Sequence, residues 1–298
     1  MAAQKMLLEP GGGWAHHRRL GTKRELPPWY EGYPYIEGGY RLGYDCADCA
    51  RSVFRLHNET LNIWTHGVGL VAWVYASARL LNAEPLRSAD DLTRRAHVLL
   101  YAACALMPLL SAAAHAFHCR GPRVSRLAWK LDFAGIACLL GARAALEGYL
   151  LLYCRRDLLA VWTAVASITF GGFGFAAVYF YVPDALAPLF VLLHAPLAAF
   201  AVTEWPALPR SARADARAAA GLLLAGSLSG VAGFVVRAAR VPERWVPRRR
   251  EFSVFCDIVG ASHQWWHVLT MVGPLLAQQG NARLLAFRYA EGSVCPAY

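Results

Sequence analysis

Six stretches of this chain, each 19 to 26 residues long, contain no Asp, Glu, Lys or Arg. They lie between Glu59 and Arg79, Arg95 and Arg120, Asp157 and Asp184, Asp184 and Glu204, Arg217 and Arg237, and Asp257 and Arg283. About 20 mostly apolar residues, coiled as a helix, cross the hydrocarbon core of a bilayer. A seventh apolar run, from Leu131 to Cys154, is interrupted by Asp132, Arg143 and Glu147. One such run could be the core helix of a globular protein; seven in 298 residues leave too little polar chain to cover them. Charged residues are only 17% of the chain, against roughly 25% in soluble proteins, and mean hydropathy is +0.31. A disordered chain is excluded by this composition, and a collagen or coiled coil by the absence of the matching repeat. The expectation is an all-α membrane protein, a seven-transmembrane-helix bundle. Its first span starts near Leu61, and the others cover about 96–118, 129–153, 158–181, 185–205, 218–238 and 256–278. The connection Val182-Pro183-Asp184 is short enough to make spans four and five antiparallel neighbours.

Charge sets the direction. The net charge of +10 does not describe a nucleic-acid-binding face, because no soluble domain is present to carry one. If the N-terminus is cytoplasmic, the inner segments carry 18 Lys plus Arg and the outer ones 10, which favours N-terminus inside and C-terminus outside. No apolar segment precedes residue 60, so no cleavable signal peptide is expected. The organisation read from this pattern is a flexible tail over 1–28, and a cytoplasmic aromatic-rich segment over 29–60. The seven-span domain follows over 61–279, and an outer tail over 280–298. Within 29–60, the stretch Cys49–His57 is amphipathic and predicts a short interfacial helix at the membrane surface. Cys46 and Cys49 form a lone C-x-x-C; with no second pair to complete a zinc ribbon, reduced thiols are the simpler reading.

Ionisable groups inside membrane helices are costly and mark functional sites. Ser111 and His115 are four apart in span two, Asp132 lies near the start of span three, and His263 and His267 are four apart near the start of span seven. Residues four apart share a helix face, and two such histidines can clasp one metal ion. Alternating helix direction brings all of these groups to one membrane depth, whichever way the bundle faces. Three neutral imidazoles with an open fourth position describe a catalytic type of zinc site, with Asp132 at its water or behind a ligand. His118 is a rival ligand. His66, His97 and His194 are read as helix-to-helix hydrogen-bond partners, Arg143 and Glu147 as a self-neutralising pair, and Asp257 as interfacial.

Several motifs stand in one order along the chain. They are Gly39-Tyr-Arg41, His57-Asn-Glu-Thr-Leu-Asn-Ile-Trp-Thr-His66, Ser111-x-x-x-His115, Lys130-Leu-Asp-Phe-Ala-Gly135, Val241-Pro-Glu-Arg-Trp-Val-Pro247 and Ser262-His-Gln-x-x-His267. Together they resemble the progestin and adipoQ receptor (PAQR) family, relatives of the hemolysin III proteins, from about Leu26 to the C-terminus. The segment Phe287–Cys295 is similar to the adiponectin-receptor branch. The resemblance implies seven helices with a cytosolic N-terminus, and zinc near the cytoplasmic side held by His115, His263 and His267. It also implies Asp132 at the catalytic water and Ser111 behind it. Alkaline ceramidases share the pattern, so the implied function is a receptor with ceramidase-like amide hydrolase activity. The alternative is a non-catalytic receptor with structural zinc. Implied partners are a ceramide or sphingolipid-like membrane lipid and an extracellular protein or steroid ligand. Self-association stays open, and plasma membrane and Golgi are both compatible. Trp265 and Trp266 fill the variable positions between the last two ligands.

Overall fold

The computed structural model describes residues 18–180, 192–208, 210–246 and 254–290. Eight helices of seven or more residues carry the described chain: α1 (Cys46–Ser52), α2 (Thr60–Leu81), α3 (Asp91–Phe117), α4 (Pro122–Leu151), α5 (Arg156–Phe180), α6 (Ala195–Thr203), α7 (Arg210–Ala239) and α8 (Ser262–Ala290). A small antiparallel pair, β1 (Arg19–Gly21) with β2 (Tyr40–Leu42), precedes them, with Leu20 opposite Arg41. By length and composition, α3, α4, α5 and α7 are apolar enough to cross a membrane. Polar residues dilute α2 and α8. Thr60, Asn62, His66 and Ser77 on α2 are buried, as are Ser262, Gln264, His267, Thr270, Gln278 and Asn281 on α8. Their outer faces expose Val68, Val71, Val74, Val268 and Val272 instead, as a lipid-facing surface requires.

The helices pack in the order α5, α4, α3, α2, α8, α7, with α6 against α4. Two glycine contacts set the spacing. A Cβ on Gly226 of α7 would fall 2.6 Å from the Gly273 carbonyl oxygen of α8, so only glycine allows these backbones to meet. A Cβ on Gly135 of α4 would stand 3.1 Å from Met107 Cα on α3, which draws the two helices together one turn from Asp132. Gly226→Val is expected to destabilise the bundle by about 2 kcal/mol or more through this overpacking, read as a lowered melting temperature in detergent. An unchanged melting temperature would show that the α7–α8 contact does not limit stability.

Several expectations change in position. The short helix over Cys46–Ser52 starts earlier and ends earlier than Cys49–His57, because Asp45 caps it by accepting the Asp48 N–H at 2.7 Å. Phe54 and Leu56 therefore project from the turn that follows and are exposed. The last helix begins at Ser262 rather than 256, since the chain before it is bent, with Cys256 at φ 71° and Gly260 at φ 91°. It runs on to Ala290, so residues 280–290 are helix and not tail. Arg288 explains the extension: it is buried, bonded to Glu204 at 2.7 Å and directed at the Leu150 and Leu151 carbonyls. Asp257 is buried within the protein and accepts the Glu37 N–H at 2.8 Å. Arg143 does pair with Glu147 at 2.7 Å and reaches Ser227 on α7 at 3.2 Å. The connector 182–184, the first part of span five, residues 1–17 of the N-terminal tail, Pro247 and residues 291–298 lie outside the described residues.

Candidate metal centre

The C-terminal turn of α3, the N-terminal half of α4 and the first turns of α8 converge at one end of the bundle. His115, His263 and His267 meet there, with one nitrogen from each ring all within 4.8 Å of one another. Ring centroids are 5.1 Å apart for His115–His263, 4.8 Å for His115–His267 and 4.6 Å for His263–His267. His115 and His267 are buried and His263 partly so. Asp132 is buried, and with Ser111, His66 and His267 it lines a narrow cavity that continues into the bundle past Met107, Leu139 and Leu140.

Local sequence sets these positions. Arg41, fully buried, donates to the His115 carbonyl at 2.6 Å, the Ala116 carbonyl at 2.8 Å and Ser52 Oγ at 2.8 Å. It thereby satisfies orphan carbonyls at the C-terminus of α3 and ties β2 to that helix. At the start of α8, Glu243 accepts the Ser262 N–H at 2.8 Å and the Ser262 hydroxyl, a charged cap on the helix that carries two of the histidines. Gln264 holds the preceding bend by donating to the Ile258 carbonyl at 2.7 Å and accepting the Gly260 N–H at 2.7 Å. His57 pins the entry to α2: its Nδ1 accepts the Glu59 N–H at 3.1 Å and its Nε2 meets the Ser52 carbonyl at 3.0 Å. Burial, with Arg41 nearby, lowers the His57 imidazole to about 3, so this tie is made by the neutral ring.

The donor set fits a divalent ion. His115 Nδ1 donates to Glu59 Oε2 at 2.8 Å, which turns its Nε2 lone pair into the cluster. His267 Nδ1 faces the Asn62 carbonyl at 3.1 Å, leaving its Nε2 for the same space. The His263 and His115 Nε2 atoms are 3.3 Å apart, close to the edge of about 3.3 Å that two imidazole nitrogens span on a tetrahedral ion. His263 Nδ1 is 3.3 Å from Arg237 Nε. With Nδ1 accepting there, the ring proton sits on Nε2. The ring can offer Nε2 to an ion only as the other tautomer, in which Nδ1 no longer accepts from Arg237.

The structure gathers His115, His263 and His267 as one cluster, with Asp132 and Ser111 on the wall of the cavity that His267 lines. It takes His118 out of the ligand set: the His118 Nε2 is 3.0 Å from Glu59 Oε1. His66 packs on His267 at 3.9 Å between centroids, and His97 bonds within its own helix, to the Thr93 carbonyl at 2.8 Å. Two functional residues were not anticipated. Glu59 is fully buried and bridges His115 and His118; its place in the His57–His66 motif, at the mouth of an apolar run, was the available signal. Tyr33 packs on His263 at 5.5 Å, so the aromatic segment covers the cluster. Glu59→Gln is expected to weaken metal affinity about tenfold, since partners behind a ligand set its orientation and basicity. Competition with a chromophoric chelator measures this; an unchanged affinity would assign Glu59 a packing role only.

A helical membrane protein with a buried three-histidine cluster at one end of its bundle is the class that fold and site define. The profile of the Haemolysin-III related family matches residues 54–278. The chain is 27% identical to the Adiponectin receptor protein of Drosophila melanogaster over 296 residues, covering 94% of this chain and 63% of that one. It is 26% identical to Heptahelical transmembrane protein 3 of Arabidopsis thaliana, covering 87% and 85% respectively. It is also 26% identical to Progestin and adipoQ receptor family member 3 of Mus musculus, covering 94% and 90%. The chain belongs to the Haemolysin-III related family and is a PAQR-type membrane protein.

Proposed function

We propose that this chain is a seven-helix, zinc-containing membrane receptor of the PAQR type that hydrolyses the amide bond of ceramide or a similar sphingolipid. The observation that carries this reading is the three-histidine cluster, one member of which, His267, shares with Asp132 and Ser111 a cavity that continues as an apolar slot between helices. Zinc held by His115, His263 and His267 would supply Lewis acidity for water activation and carbonyl polarisation. The chain's own groups do the rest. Asp132 orients the attacking water and takes its proton. Ser111, on α3, lines the same cavity as Asp132 and would steady its carboxylate. Leu139, Leu140 and Met107 exclude water and accept the acyl chain. The leaving amine takes that proton from Asp132, which returns to its carboxylate form, and departs as a sphingoid base, with a fatty acid as the other product.

The orientation has two supports. Positive charge accumulates on the histidine side. Cysteines Cys46, Cys49, Cys119 and Cys256, at the histidine end, are free thiols, whereas Cys154, beyond the far end of α4, is disulfide-bonded. Disulfides persist in oxidising compartments, so the histidines face the cytosol and Cys154 faces outside or a lumen. The relatives' names favour a receptor, and a second reading keeps the zinc as a structural clasp for an adipokine or steroid-like ligand's conformational signal. Purified protein in lipid nanodiscs, given ceramide, tests the choice by mass-spectrometric release of fatty acid and sphingoid base. Release abolished by chelation and restored by zinc is expected. No release above a protein-free blank removes the hydrolase reading.

A further inference from the structure

Cys49 and Cys119 are 70 positions apart, yet their Sγ atoms meet at 3.5 Å. Cys49 is on α1, and Cys119 is in the turn His118–Arg120 that follows α3. A disulfide holds its sulfurs about 2.05 Å apart, so bond formation asks for an approach of about 1.5 Å. Arg41 already ties the two carriers together: its guanidinium donates to Ser52 Oγ on α1 and to the His115 and Ala116 carbonyls of α3. The pairing also separates the two thiols of the C-x-x-C. Cys46 is exposed, whereas Cys49 is turned inward, with Tyr30, Tyr40 and Tyr44, into the cluster that seats the aromatic segment on the bundle. Access is one-sided. Cys119, 4% exposed, lines a cavity of 590 Å³ together with Trp29, Tyr30, Arg41 and Arg120, while Cys49 is fully buried. The charge of Arg41 acts on both sulfurs and that of Arg120 on Cys49. Positive charge steadies a thiolate, the form that attacks an oxidant. The opposing carboxylate, Glu59, is already held by His115 and His118.

We propose that Cys49 and Cys119 form a peroxide-sensitive modification site, whose disulfide staples the aromatic segment to the end of α3. The Cys119 thiolate attacks hydrogen peroxide: an S–O bond forms, the O–O bond breaks, and the departing hydroxide takes up the proton that the thiol lost, as water. The Cys49 sulfur then attacks the sulfenic sulfur of Cys119. The S–S bond forms, the S–O bond breaks, and the hydroxyl leaves with the Cys49 proton as a second water. Two thiols lose two electrons and one peroxide gains them. Disulfides in a reducing compartment are mostly redox-sensing, and both thiols are free here. The step needs neither a metal nor turnover, so it stands apart from the hydrolase reading.

The test uses the full chain in detergent, isolated without strong reductant and then treated with hydrogen peroxide. Remaining thiols are blocked by alkylation, the protein is digested, and the peptides are weighed by mass spectrometry. A cross-link joining the Cys49 and Cys119 peptides, lighter than the two together by two hydrogen atoms, is expected as the main product. Cys46→Ser is expected to form it as the native chain does. Unmodified thiols, a disulfide from Cys49 to Cys46 or from Cys119 to Cys256, or oxygen added at Cys119 without a cross-link would overturn the proposal. Stability is the second readout. The bond closes a loop of 70 positions, so peroxide is expected to raise the melting temperature by about 5 °C or more, and to leave that of Cys49→Ser without such a rise. A cross-link formed without the rise would overturn the staple. If Cys49→Ser does not fold, peptide mapping and melting of the native chain before and after peroxide decide alone.

Discussion

Purified native protein is expected to hold about one zinc per protomer, and the His263→Ala/His267→Ala variant essentially none. The prediction follows from how the ligands are supplied. Two of the three come from adjacent turns of α8 and one from α3, so removing the α8 pair leaves His115 alone. A single imidazole cannot hold the ion against solvent, whereas three nitrogens arranged as a preformed cluster can. Inductively coupled plasma mass spectrometry after gel filtration gives the stoichiometry directly. The variant keeps the Glu243 cap on α8 and the Gly226–Gly273 contact. It should therefore remain a monodisperse helical protein, with lower stability from the loss of a clasp between α3 and α8. Native protein without zinc, prepared without chelator, would remove both the catalytic and the structural zinc readings. The histidines would then be helix-to-helix hydrogen-bonding groups.

Much of this site is legible in the sequence because its chemistry is local. His263 and His267 share a helix face by spacing alone, and the alternation of helix direction places Asp132, His115 and the α8 pair at one depth. What is not legible depends on contacts between distant segments. Glu59 binds His115 across 56 positions, and nothing in its own neighbourhood says which histidine it meets. Arg237 reads as an ordinary basic residue at a helix end until α8 brings His263 and Trp266 beside it. The helix ends behave similarly. Charge-free runs locate the interior of each helix, but α8 outruns its own because Arg288 finds Glu204. A charge beyond the end of an apolar run need not lie outside the helix when a carboxylate from another segment neutralises it. Polar residues on α2 and α8 weaken the membrane signal for the same reason: they are turned inward, toward the cluster and the bundle core.

Asp132→Ala is expected to lower the rate of ceramide hydrolysis at saturating substrate by about 10²–10⁴-fold, the usual contribution of a positioned general base, while zinc content stays near one per protomer. The two readouts together separate roles that a rate alone confuses. Asp132 is on α4, and the cluster of ligand nitrogens comes from α3 and α8, so its loss leaves the ion's holders in place. Its carboxylate lines the cavities on both sides of the cluster, one shared with Ser111 and His267 and one with His263 and Arg237. A group in that position would orient a water held in the cavity beside the histidines and accept its proton. Substrate affinity should change little, because in the proposed reading the acyl chain would lie along Leu139, Leu140 and Met107, away from Asp132. Ser111→Ala should lower the rate less, since Asp132 keeps its charge and loses only one neighbour. Hydrolysis at the native rate in Asp132→Ala would mean that the proton goes elsewhere, and the general-base assignment would fall. Loss of zinc in the same variant would instead place Asp132 among the groups that hold the ion.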